Sequence, residues 1–470
     1  MRPIEIILLT LLTIRMGRSL GRRPGISQFQ WLSGLAGLSL LVHLTIEGQR
    51  WQLYPAYGLI VWLLISDRLR GRRVPHRRAA GWWTLIPVLL LLGLSWLPPM
   101  LMPVPSIPNP TGPFDVGTRQ LHLVDLGRSD PYAPDPSAPR ELMVQVWYPA
   151  AAESDGIRAP WMDSIHLIGP AISEWIGMPA FFINHVQYAE TQALLGGEPL
   201  ASERPFPVLH FSHGYGGLRA QNTFQMLELA SHGYVVVATE HTYAAAVTVF
   251  SDGRTATLNL DTLPRDITDQ QEYEIQSNSL LAQWSQDIGF VLDHFARLTA
   301  TGSNDPLAGL LNMAQIGILG HSTGGGAAVE FCSEDPRCQA GLAMDPWLVP
   351  VAGTHIQAGP SAPFIFMFSE SWSGDRNNEL FSALFDGMPG SAAYIRIDGT
   401  AHYDFSDLPA LTPLAATLGL KGPIPGPEIQ RIIGQLSLAF FDARLIPDRE
   451  DRLVDVAEAF QAVKLLDYRP

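Results

Sequence analysis

Gly320-His321-Ser322-Thr323-Gly324 decides how this chain of 470 residues is read. An apolar run, Ile316-Gly317-Ile318-Leu319, leads into it, and a small-residue stretch, Gly325-Gly326-Ala327-Ala328-Val329, leads out. Strand, sharp turn and helix in that order are what a nucleophile elbow requires, because the glycines let the backbone fold tightly enough to push a serine hydroxyl out at the top of a sheet. Ser322 is therefore the candidate nucleophile. His321 is too close along the turn to swing onto Ser322 and reads as part of the elbow.

Outward from the elbow, strand and helix alternate. Residues 208–211, 234–238, 315–319, 340–344, 364–368 and 393–397 read as strands, with helices over 220–232 and 273–298 between them and over 427–441 and 451–462 at the end. Such alternation predicts an α/β fold whose mostly parallel sheet is covered on both faces, with its chemistry at the carboxyl ends of the strands. Residues 116–126 and 142–148 read as an antiparallel hairpin joined across the turn-forming Asp130-Pro131 and Ser137-Ala138-Pro139. Residues 160–205 are irregular and rich in Trp, Phe and Ile, either the cover of a pocket or a plain surface excursion.

A serine needs a neighbouring base to take its proton. His402, in Gly399-Thr400-Ala401-His402-Tyr403, follows the last strand of the alternating series and is the candidate base. Two acids fit the chain order Ser, acid, His: Asp345 after the next strand and Glu370 after the one beyond, and the pattern alone does not separate them. An oxyanion hole needs two backbone N–H groups aimed where charge develops. Thr323, after the nucleophile, supplies one candidate; Tyr215, in the glycine-rich Phe211-Ser212-His213-Gly214-Tyr215-Gly216-Gly217, supplies the other. Trp347, Tyr403 and Phe405 flank the acid and the base as possible pocket walls or as sheet-edge packing. Glu240-His241 ends a strand and either lines the site or forms a structural pair.

Taken together, Phe211-Ser212-His213-Gly214, Ala230-Ser231-His232-Gly233-Tyr234, Glu240-His241, Gly320-His321-Ser322, Met344-Asp345-Pro346-Trp347 and Gly399-Thr400-Ala401-His402 resemble successive blocks of the secreted platelet-activating factor acetylhydrolase family of α/β-hydrolases. The resemblance runs over residues 142–441. It implies that Asp345 rather than Glu370 is the acid. It also implies a calcium-independent serine esterase that uses no cofactor or metal and removes short or oxidised acyl chains from phospholipids. Two features depart from the family: a multi-span amino-terminal anchor, read from the apolar runs described below, and Thr323 followed by three glycines at the elbow. Similar elbows occur more widely in bacterial ester hydrolases, so a broader carboxylesterase, lipase or polyester hydrolase is the alternative. Outside that class stand a catalytically silent hydrolase fold serving as a binding protein at the cell surface, a peptidase and an acyltransferase.

The amino-terminal region carries apolar runs over 4–14, 31–46, 53–65 and 81–97. Arginines cluster after the first (Arg15, Arg18, Arg22, Arg23) and third (Arg68, Arg70, Arg72, Arg73, Arg77, Arg78), and Trp31, Trp51, Trp82, Trp83 and Trp96 lie near run ends. Read by the bias of basic loops to the cytoplasm, this predicts four transmembrane helices forming a multi-span anchor over 1–98. The lipid bilayer would then be a partner, and the remainder would face the extracytoplasmic side. Seven prolines between Pro98 and Pro113 predict an extended spacer over 99–113, leaving 114–470 as the catalytic domain.

Residues 1–110 hold twelve Arg and three acids, a net of +9 against −14 for the whole chain, which leaves −23 beyond them. So acidic a domain repels phosphate backbones, and nucleic acid is not expected as a partner. Only Cys332 and Cys338 are present; in an outward-facing protein the close pair suits a disulfide, stapling the elbow helix to the strand that leads to Asp345. Two cysteines are too few for a structural zinc site, and no HExxH or GxxxxGK[ST] sequence occurs.

Overall fold

The computed structural model describes residues 1–20, 26–70, 82–152, 156–300, 303–372 and 374–470. They group into two compact units: Met1–Pro105 with Phe181–Ala189 and Leu411–Leu414, and the remainder.

In the first unit the four apolar runs become helices, α1 (Pro3–Leu20), α2 (Ile26–Ile46), α3 (Tyr54–Arg70) and α4 (Trp82–Leu101). Among the described residues, however, no helix is long and apolar enough to cross a membrane. The four-span anchor, the bilayer partner and the multi-pass, outward-facing placement are therefore corrected. The apolar runs themselves are 11 to 17 residues long, short of the about 20 that a bilayer core demands. Polar residues fill out the helices: α1 includes Glu5, Arg15 and Arg18, and α3 ends in Asp67-Arg68-Leu69-Arg70. Several of these charges turn inward and pair. Arg15 binds the Asp67 carboxylate at 2.8 and 2.9 Å, with Ser33 bonded to both, and Arg50 reaches buried Glu5 at 3.2 Å. Leu8, Leu12, Leu40, Ile60 and Leu63 form the apolar cluster of this unit. Helix α4 also continues through Pro98 and Pro99, where the prolines predicted an extended chain, and Met102 N–H closes its last turn on the Pro98 carbonyl. Arg22, Arg23, Arg72, Arg73, Arg77 and Arg78 lie outside the described residues.

The second unit opens with β1 (Asp115–Ser129) and β2 (Pro139–Ala150), an antiparallel pair with Leu123 opposite Leu142. Then come β3 (Arg158–Pro160), α5 (Ile165–Trp175), β4 (Glu190–Leu195), β5 (Phe206–Ser212), α6 (Thr223–Ser231) and β6 (Val235–Glu240). A small hairpin of β7 (Val247–Val249) and β8 (Thr255–Thr257) precedes the long α7 (Gln270–Ala300). The series continues through β9 (Leu311–His321), α8 (Thr323–Glu334), β10 (Cys338–Met344), α9 (Gly353–Ala358), β11 (Phe364–Ser369), α10 (Asp375–Gly387) and β12 (Ala392–Ile397). It ends with α11 (Gly426–Leu445), α12 (Leu453–Glu458) and β13 (Val463–Arg469).

Among the described residues, eleven strands make one sheet in the order β13-β12-β11-β10-β9-β5-β6-β2-β1-β4-β3. From β12 to β6 neighbours run parallel, and β2 and β13 join antiparallel on either side. Alternation along β9 shows how both faces are covered. Ile316 and Ile318 pack into the cluster of Trp284, Ile288 and Val291 from α7, whereas Gly317 faces α11, where an added Cβ would lie 2.7 Å from the Phe441 ring. On α7, Leu281, Trp284, Ile288, Val291 and Phe295 recur every three to four residues, the spacing that keeps one helical face on the sheet. Deleting a side chain as large as fully buried Trp284 costs about 3–5 kcal/mol.

Candidate functional site

Strand β9 delivers Ser322 into a turn with φ +56° and ψ −120°, backbone that an L-residue rarely adopts and that costs about 1–3 kcal/mol. Three backbone hydrogen bonds hold it there. Ser322 N–H donates to the Met344 carbonyl at 2.9 Å, and its own carbonyl accepts from Gly326 at 3.1 Å and from Trp347 at 2.9 Å. The flanking glycines are required by space: a Cβ on Gly320 would overlap the Gly324 carbonyl, and one on Gly324 would overlap the Ser212 carbonyl. That absence of side chains brings the loop after β5 against the elbow, so that a Cβ on Gly214 would lie 3.3 Å from Ser322 Cβ.

His402 begins a short 3-10 turn after β12, and its Nδ1 lies 3.0 Å from Asp345 Oδ2. Asp345, at the end of β10, is fully buried with φ +42° and accepts from Ser369 N–H and Oγ–H, each at 2.6 Å. Glu370, the other acid open from the sequence, turns elsewhere: its carboxylate accepts from Gly399 N–H at 2.6 Å. Against His402 the indole of Trp372 stacks, and burial pushes the ring down to about 4, which keeps it neutral at physiological pH. Burial pushes the Asp345 carboxyl well above its ordinary value, and the two Ser369 donors pull against that. His321, immediately before the serine, has its ring centroid 4.4 Å from that of His402.

Of the proposed oxyanion donors, Thr323 is the first residue of α8, where a helix leaves its N–H groups without intrahelical partners. Around Tyr215 the amides of Gly214, Gly216 and Gly217 are committed to Gln221 Oε1, Ala244 O and Gly214 O at 2.8–3.0 Å. Among the described residues, none accepts from the Tyr215 N–H. Its phenol is tied back to Thr262 Oγ1 at 2.8 Å.

The aromatic residues separate. Phe405 is fully buried beside the His321 ring, and Tyr403 is 41% exposed. Trp347 lines a cavity of about 400 Å³ together with Tyr273, Val349 and Trp372. Trp372 went unnoticed in the sequence, although it lies three residues beyond the end of β11. The cavity adjoins the site on two sides, because Trp347 is bonded to the Ser322 carbonyl and Trp372 lies on His402. Another cavity, of about 330 Å³ around Ala314 and Ile446, touches none of these residues.

Glu240 pairs with buried Arg219, and His241 enters a hydrogen-bonded Ser-His-Asp arrangement away from the elbow. Its Nε2 lies 3.1 Å from Ser212 Oγ and its Nδ1 3.0 Å from Asp287 Oδ2, all three residues fully buried. Arg140 holds Asp287 by two bonds, at 3.1 and 2.6 Å, and Trp284 stacks on His241 at 3.9 Å. His213 extends the cluster, accepting from His241 N–H at 3.1 Å and donating from Nδ1 to the Gly214 carbonyl at 2.7 Å. The effect is to brace the loop that carries Tyr215. Cys332 and Cys338 are joined in a disulfide between α8 and β10.

Among the described residues, two groupings could hold a metal ion, Glu5-His43-Glu47 and Glu330-Glu334-His355. In both, protein donors already occupy carboxylates: Arg50 binds Glu5 at 3.2 Å, and Ala352 N–H binds Glu330 at 2.9 Å. Neither grouping includes a residue of the elbow.

Sheet order, elbow and strand-end loops define an α/β-hydrolase, and the similar proteins place it among the ester-hydrolysing enzymes. The chain belongs to the family described as platelet-activating factor acetylhydrolase, isoform II, which it matches over residues 102–458. It is 27% identical over 362 residues to the platelet-activating factor acetylhydrolase of Cavia porcellus, covering 73% of this chain and 79% of that one. A protein of Arthroderma benhamiae named probable 1-alkyl-2-acetylglycerophosphocholine esterase is 24% identical over 357 residues, 71% of this chain and 83% of that one. Among solved structures, the ferulic acid esterase of Streptomyces cinnamoneus is similar at a TM-score of 0.63 and 26% identity, covering 77% of this chain and 100% of its own.

Proposed function

We propose that the chain is a serine carboxylic ester hydrolase in which Ser322 is the nucleophile, His402 the general base and Asp345 the acid that orients it. The observation carrying this reading is the 3.0 Å pairing of His402 Nδ1 with buried Asp345, next to the strained turn that presents Ser322. With Nδ1–H donated to Asp345, the lone pair of the neutral ring is on Nε2. Nε2 takes the Ser322 proton as Oγ bonds to the ester carbonyl carbon, and the Tyr215 and Thr323 amides receive the oxyanion. Collapse breaks the bond to the alkoxy group, which leaves with the proton from His402. Water, deprotonated by the same nitrogen, then attacks the acyl-enzyme and releases the acid and Ser322.

The names of the relatives supply the first substrate class, short-acyl esters of glycerophospholipids. The aromatic lining of the cavity between Trp347 and Trp372 favours a second, esters of aromatic acids, which is what the Streptomyces neighbour's name says of that protein. Turnover of acetyl to palmitoyl nitrophenyl esters, a short-acyl phospholipid and a cinnamoyl ester, each beside Ser322→Ala, tests both. Loss of turnover in the variant, with preference for acetyl esters and the phospholipid, supports the first class; preference for the cinnamoyl ester supports the second. Near-native turnover by Ser322→Ala would overturn the nucleophile assignment.

A further inference from the structure

The loop bearing Tyr215 follows β5 and the loop bearing His402 follows β12, with β9, β10 and β11 between those strands in the sheet. One side chain links the two loops. Gln221 Oε1 accepts from Gly214 N–H at 3.0 Å, and Gln221 Nε2 lies 2.9 Å from His321 Nδ1. An amide nitrogen only donates, so Nδ1 must carry a lone pair, and the single proton of the neutral His321 ring is then on Nε2. That nitrogen lies 3.0 Å from the carbonyl oxygen of His402, which only accepts. Each joint therefore has one donor and one acceptor, and the line Gly214 to Gln221 to His321 to His402 has a single consistent direction. His321 is 2% exposed. Burial, with the titratable His402 ring facing it as the smaller cause, holds the His321 ring well below histidine's ordinary value.

We propose that Gln221 and His321 are positioning residues that set the oxyanion loop and the base in one frame: Gln221 fixes the amide preceding Tyr215, and His321, as its Nε2–H tautomer, carries that fix to the backbone of His402. The inference rests on the catalytic roles proposed above. Neither residue is required to touch substrate. Backbone and neighbouring ties hold the two segments together independently of the Gln221 amide: Asp407 N–H to Gln221 O at 2.8 Å, Asn222 Nδ2 to Phe405 O at 2.7 Å and Thr223 N–H to Asp407 Oδ2 at 2.6 Å. Removing the amide group thus loosens the frame without detaching the loops.

Gln221→Ala and Gln221→Glu test this on purified full-length protein, with rates normalised to the folded fraction given by active-serine titration. In Gln221→Ala, kcat falls about 10- to 100-fold with KM changed much less, the signature of lost orientation. In Gln221→Glu the carboxylate still accepts from Gly214, but it now needs a proton on His321 Nδ1. The network is complete while His321 is an imidazolium and loses a joint when it deprotonates, so kcat of this variant falls with rising pH where the parent is flat. Histidine nitrogen NMR gives a readout independent of turnover: His321 is the neutral Nε2–H tautomer in the parent and imidazolium at the low-pH end in Gln221→Glu. A parent-like kcat in Gln221→Ala, superimposable pH profiles, or His321 protonated on Nδ1 in the parent would each overturn the proposal. Failure of the catalytic reading looks different, because it leaves Ser322→Ala active.

Discussion

The indole of Trp372 lies flat on the imidazole of His402, with centroids 4.0 Å apart and planes 13° apart. Covering the ring disfavours its charged form, which is why burial brings His402 down to about 4 from the ordinary 6.5. With His402 as the proposed base, turnover needs the neutral ring, and a lowered value preserves that form as pH falls. The acidic limb of kcat/KM is therefore expected below pH 6.5, and Trp372→Ala is expected to move it upward by admitting water. Full pH profiles of parent and variant check this; an unmoved limb, or one that moves down, contradicts it.

Asp345 and Glu370 separate by substitution. With Asp345 as the acid, Asp345→Asn preserves shape but puts an amide where His402 Nδ1–H needs an acceptor, and kcat is expected to fall by about 10³- to 10⁴-fold. Glu370→Gln changes a group bonded to Gly399, not to His402, and is expected to cost far less. Equal losses in the two variants would return the acid to doubt.

Space at the elbow predicts a stability difference between two glycines. Gly324→Ala forces a methyl into the Ser212 carbonyl and is expected to cost about 3 kcal/mol or more, whereas nothing lies within 4 Å of a Cβ on Gly353. Thermal melts of Gly324→Ala and Gly353→Ala, the second staying near the parent, provide the check.

The Cys332–Cys338 bridge closes a loop with a sequence separation of 6, for which chain entropy gives about 2 kcal/mol. Denaturant unfolding with and without reductant should differ by about that amount, and the double alanine variant should not respond to reductant.

Tyr273 lies on the cavity wall with Trp347 and Trp372. If aromatic esters bind there, Tyr273→Ala raises KM for a cinnamoyl ester by a larger factor than for an acetyl ester. Parallel changes in both would remove the cavity from the substrate path.

The elbow, the parallel core and the hairpin were legible because each rests on local chemistry: glycines where the backbone must approach, apolar strand runs, turn residues between β1 and β2. The choice between Asp345 and Glu370 was not, since both end strands and only the pairing of His402 with Asp345 at 3.0 Å distinguishes them. Family resemblance, not pattern, favoured Asp345. Hydropathy misjudged the amino-terminal helices because it cannot show that Arg15 meets Asp67, 52 positions away. Strand β13 escaped because it lacks a buried alternation: of its seven residues only Val463 is buried, so residues 451–462 read as a helix and the tail as nothing. Trp372 and Gln221 carried no motif, and their importance comes from what they touch.

Ser212, His241 and Asp287 repeat, bond for bond, what a distance template for a catalytic constellation looks for. A search of folded chains by interatomic spacing would report that serine with confidence, and a fluorophosphonate reagent would never label it. What separates the proposed nucleophile from this strut is exposure: Ser322 is partly exposed, whereas Ser212 is fully buried. Surveys that assign hydrolases from atom positions would gain by asking first whether solvent can arrive.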